Sequence, residues 1–81
     1  MPQIDMLREH LAQAESHIAI GEEHLRKQRR IIAELEEHGH NTKMARELLK
    51  EFEDVQTMHV ADKERVLKEI ERELRRDATS A

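Results

Sequence analysis

Six histidines, His10, His17, His24, His38, His40 and His59, are the residues of this chain best suited to chemistry. Four of them, His10, His17, His24 and His38, recur at multiples of seven. Imidazole can ligate a transition metal, carry a proton or change charge near neutral pH. Heptad spacing argues against a metal held by one helix. Residues seven apart lie about 10.5 Å apart along a helix axis, whereas the ligands of one ion sit about 2 Å from it. A metal would need histidines from two helices, and His17, His24 and His59 are the set that could converge. The spacing itself predicts no metal site and no cofactor. Protonating all six histidines would turn the formal net charge of -4 positive, so acid would weaken whatever packs on their flank. A metal-binding or pH-sensing helical bundle is therefore the alternative function.

Other chemistry is sparse. There is no cysteine, so disulfides, thiolate ligands and thiol nucleophiles are excluded. Ser16 and Ser80 sit in no nucleophile motif, and two glycines make no phosphate cradle. Carboxylates are abundant, but no pocket-forming loops accompany them. HLRK at His24 has only a faint likeness to a histidine phosphotransfer site, whose surrounding pattern is missing. No catalytic residue is expected, and the chain does not read as an enzyme. The basic run RKQRR at residues 26–30 spreads around a helix, where Glu22, Glu23 and Glu34 lie one turn from Arg26, Lys27 and Arg30. No aromatic side chains interleave with it to stack on bases. With a net charge of -4, neither nucleic acid nor an anionic membrane is an expected partner. No apolar run approaches a membrane span, and MPQIDMLREH does not read as a signal peptide, so a cytoplasmic location is expected.

The histidines must be positioned by helices. Charged residues make up 40% of the 81 residues and hydrophobic ones 37%, a mixture that suggests disorder unless the apolar residues are periodic. They are. Ile4, Leu7, Leu11, Ala14, Ile18, Gly21, Leu25, Gln28, Ile32 and Leu35 alternate steps of three and four without a slip. The stripe stops at HGHNT. Gly39 suits the left-handed residue that ends a helix, and Asn41 and Thr42 are good N-caps for the next one. The pattern predicts one all-α domain over residues 1–81: a coiled-coil-like antiparallel hairpin. Its helices cover about 3–38 and 42–77, its turn 39–41, and Asp77 to Ala81 should fray. A turn centred near residue 40 pairs residues whose numbers sum to about 81. That register puts Leu11 with Ile70, Ala14 with Leu67, and Gly21 with His59, for whose imidazole the glycine could make room. The expected seam is Leu11, Ile18, Leu25, Ile32, Leu49, Phe52, Leu67 and Ile70.

One seam is a small core for a chain with a single Phe and no Tyr or Trp. The flanks of the first helix differ. One reads Arg8, Glu15, Glu22, Arg29, Glu36, charged throughout. The other reads His10, His17, His24, Ile31, His38, with Met6 and Ile20 beside it. The second flank, with Met58 from the second helix, is the candidate interface. A second copy would cover it in a two-fold four-helix bundle; another helical protein is the other candidate partner. The expected function is a non-enzymatic protein–protein interaction or regulatory module.

From about His17 to Val66 the chain also resembles a group of small uncharacterised bacterial proteins of helical-hairpin type, many from soil alphaproteobacteria. The shared pattern is carried by His17, Ala19 and Gly21; Gln28, Arg29 and Ile32; Leu35, Gly39, His40 and Thr42; Ala45, Leu48, Leu49, Phe52 and Glu53; and His59. The resemblance implies a bacterial source and a stand-alone small protein. It carries no assigned activity to any residue.

Overall fold

A computed structural model describes residues 2–79, with side chains from 3 to 78. Two helices, α1 (Pro2–Glu37) and α2 (Lys43–Thr79), lie antiparallel in a rod of 66 × 14 × 13 Å. The Cα radius of gyration is 18.7 Å. A compact chain of this length would have about 12 Å. Proline at the start of α1 costs nothing there, because the first N–H groups of a helix have no internal partner. Asp5 places a carboxylate in the first turn, where the helix dipole favours it. α2 runs through Asp77 and Ala78, which were expected to fray; Ser80 and Ala81 lie outside the described residues.

The turn is built from two complementary caps. Gly39 has φ +69°, the left-handed conformation that an L side chain resists. The His40 amide donates to the Leu35 carbonyl at 2.8 Å and the Gly39 amide to the Glu36 carbonyl at 3.1 Å. These are the two bonds of a Schellman motif, which satisfies the last carbonyls of α1. His38 Nδ1 adds a donor to the Glu34 carbonyl at 2.7 Å. On the far side, the Thr42 carbonyl accepts the first bond of α2, from the Arg46 amide at 2.9 Å. Asn41 Oδ1 accepts the Lys43 amide at 2.9 Å. Thr42 is thus the N-cap, and Asn41 satisfies the next orphan donor from one residue earlier.

The seam of α1 is the one its sequence predicts. Among residues 3–37, the side chains that are not exposed are the ten of the heptad stripe and no others. α2 is different. Its inward row is Ala45, Leu49, Phe52, Gln56, His59, Lys63, Val66, Ile70 and Glu73, an unbroken alternation of four and three. Leu67, expected in the seam, is 43% exposed, while the neighbouring Val66 is 5% exposed. The cause is that α2 carries apolar residues in three parallel rows, and two helices can share only one. Phe52 and Ile70 fix the middle row as the seam. Leu48 and Val55 then fall on one flank, and Val60, Leu67 and Leu74 on the other.

Pairing along the seam is also displaced from expectation, by about one helical turn. Gly21 faces Gln56, not His59, and His59 lies against His17. Gln28 falls level with Leu49 in this register and reaches on to the Ala45 carbonyl. Continued by heptads, this register sets Ala14 level with Lys63, Leu11 with Val66, and Leu7 with Ile70.

Two stability measurements check this geometry. Gly39→Ala should cost about 1 kcal/mol, because nothing crowds the site and the penalty is backbone conformation alone. Val66→Ala should cost about 1–2 kcal/mol while Leu67→Gln stays within about 0.5 kcal/mol, both read from thermal or urea unfolding. Equal costs at 66 and 67 would mean that the seam is wrongly assigned.

Candidate interaction surface

The middle of the hairpin is where the seam turns polar, and this shapes the surface above it. Gln28 is 6% exposed, and its Nε2 donates to the Ala45 carbonyl of the opposite helix at 2.9 Å. Gln56 makes the mirror contact, Nε2 donating to the Ile18 carbonyl at 2.9 Å. Its carboxamide lies over Gly21, where a Cβ would stand 1.8 Å from Oε1. Glycine here serves close approach, and its neighbour is a carboxamide in place of the expected imidazole. Gln56 Oε1 is buried with no hydrogen-bond partner.

Beside Gly21, rings from the two helices meet on one flank. His17 and His59 have ring centroids 5.1 Å apart, and His24 and Phe52 have theirs 5.6 Å apart. Half-buried Phe52 is therefore roofed by an imidazole. Together with Ile20 and Val55 these residues line a groove of about 260 Å³. Ile20 is 49% exposed, Val55 47% and Leu48 40%. The opposite flank is bound by charge: Arg29 reaches Glu53 at 3.7 Å, Lys63 reaches Glu15 at 3.6 Å, and Arg46 pairs with Glu36. Such exposed pairs contribute little to stability, but they keep that edge wet.

Of the expected interface, the structure brings His17, Ile20 and His24 together in the groove. Met6, His10, Ile31 and Met58 are exposed but do not line it. Of the expected seam, Leu25 and Ile32 are buried, and Leu11, Ile18, Leu49, Phe52 and Ile70 half-buried. Sequence reasoning missed the part that Val55 and Gln56 play here. The available signal was that Gln56 lies seven from Leu49 and four from Phe52, on the same unbroken heptad.

Among the described residues, no group of three or more His, Asp or Glu could hold a metal ion. No helix among them is long and apolar enough to cross a membrane. Comparison with known protein families, curated proteins and solved structures finds no match.

The Gly21–Gln56 approach makes a double-mutant cycle informative. Alanine is better than glycine inside a helix by about 1 kcal/mol. In a Gln56→Ala background, Gly21→Ala should therefore stabilise the chain by about that amount. In the unaltered background the displaced carboxamide should cancel the gain, giving a coupling of about 1 kcal/mol or more by chemical unfolding. Additive effects would contradict the contact.

Proposed function

We propose that this protein is a non-enzymatic helical module whose working surface is the histidine flank, and that two copies cover that flank in a four-helix bundle. The observation that carries the reading is how much apolar surface the single hairpin leaves in water. Among the described residues no side chain is fully buried, while Ile20, Phe52 and Val55 line the groove and Leu48 lies one heptad from Val55 on the same row. The accessible surface is 6501 Å². A monomeric protein of this mass is expected to expose about 5,100 Å², so the excess is about 1,400 Å². A stable dimer buries about 800 Å² per partner, which the excess accommodates.

The flank also suits a copy of itself. In the half near the turn its two bordering rows are His24 and Ile31 from α1 and Leu48 and Val55 from α2, with no fixed charge among them. A two-fold axis over this strip sets apolar residues against apolar residues and leaves the Arg and Glu flank in water. Two of the apolar rows of α2, the seam and the Leu48–Val55 row, fit the same picture, because a bundle helix with two neighbours needs an apolar stripe wider than one seam. The biological role that follows is binding or regulation through helix packing, in the cytoplasm of a bacterium.

Light scattering on the unaltered protein should give twice the single-chain mass of 9.6 kDa. Ile20→Glu and Val55→Glu should each halve that mass while the circular dichroism of the hairpin remains helical. A single-chain mass for the unaltered protein at millimolar concentration would overturn the proposal.

A further inference from the structure

We propose that His17 and His59 form a cross-helix binding site for a transition-metal dication of the Zn²⁺ or Ni²⁺ type. The site stands on the geometry of one hairpin and does not depend on the pairing of two copies.

The argument begins with distance. Imidazole nitrogen binds zinc at about 2.0–2.1 Å, which puts the ring centre about 3.2 Å from the ion; two rings at a tetrahedral angle then have centres about 5.2 Å apart. The His17 and His59 centroids are 5.1 Å apart, with their planes inclined at 43°. The two rings come from different helices, so chelation escapes the heptad limit that keeps His10, His17 and His24 apart. They also border the groove of about 260 Å³, which has room for an ion and its waters.

The remaining histidines lack this arrangement. The His24 ring packs on Phe52. His38 and His40 are 6.3 Å apart, and His38 Nδ1 is committed to the Glu34 carbonyl. His10 lies two turns from His17 along α1, with no ring contact among the described residues.

The local charges permit a dication. Lys63 follows His59 by one turn on the same row, but its ammonium is 3.6 Å from the Glu15 carboxylate. Asp62 lies at the same level and pairs with Arg65. Two protein ligands leave the other coordination positions to water, so binding should be of moderate strength and should favour metals that accept imidazole. Cross-linking two helices at mid-length would stabilise the hairpin by mass action, since the unfolded chain does not hold the two rings together.

The test is thermal unfolding near neutral pH with Ni²⁺ or Zn²⁺ added, with the mass of each sample measured alongside. The expected result is a rise in melting temperature of several degrees, lost in both His17→Gln and His59→Gln and kept in the double variant His38→Gln/His40→Gln. In the unaltered protein, Ni²⁺ should broaden the imidazole proton signals of His17 and His59 before those of the other four histidines. That second readout holds even if a variant folds poorly. No rise at millimolar metal, an equal rise in the His17 and His59 variants, or earlier broadening at other histidines would each overturn the proposal. A metal-bound single chain would contradict the pairing of copies and leave this site standing.

Discussion

The middle of the hairpin depends on one contact, the Gln56 carboxamide lying over Gly21. A Cβ at position 21 would meet the end of the Gln56 side chain, so glycine there lets the carboxamide lie across α1. The contact fixes the register. Once Gln56 lies over Gly21, the heptads set His17 beside His59 and His24 over Phe52. The groove on the histidine flank is bordered by these two ring pairs, one heptad apart along the rod.

The polar middle of the seam has a physical logic of its own. An all-apolar seam between two helices tolerates slippage by a turn, because one leucine layer resembles the next. Gln28 and Gln56 each donate to a backbone carbonyl of the opposite helix, and a slip would move the Gln56 carboxamide off Gly21 and against a side chain. Buried polar groups in coiled coils are best attested in this register-setting role, at some cost in stability. Gln56 Oε1 shows that cost directly, since it is buried with nothing to accept from. A seam that spends three consecutive positions on Gln56, His59 and Lys63 gives the hairpin a defined register and a weak centre.

How much of this was legible in the sequence differs between the helices. Along α1 the hydrophobic pattern and the buried face coincide residue for residue, because no apolar side chain competes for the seam there except Met6, Ile20 and Ile31 on a separate strip. Along α2 the pattern misleads. Leu67 and Val60 each stand one residue from a seam position held by Val66 or His59, and apolarity alone cannot tell a core row from a flank row when three rows are apolar. The turn was readable as chemistry, with Gly39, Asn41 and Thr42 in the roles their side chains suggest. The register was not, because it depends on which side chain of α2 lies over Gly21, and the sequence offered His59 as readily as Gln56. The ring pairs on the histidine flank follow from that register and were hidden with it.

The exposed apolar residues of the histidine flank and the absence of any fully buried side chain among the described residues support the central proposal, that the hairpin reaches its stable form with a second copy on that flank. If association is part of the fold, stability must depend on protein concentration by mass action. The most direct measurement is the melting temperature of the unaltered chain over a hundredfold range of concentration. The account predicts a steady rise with concentration. A melting temperature that stays constant across that range, at a mass of one chain, would contradict it.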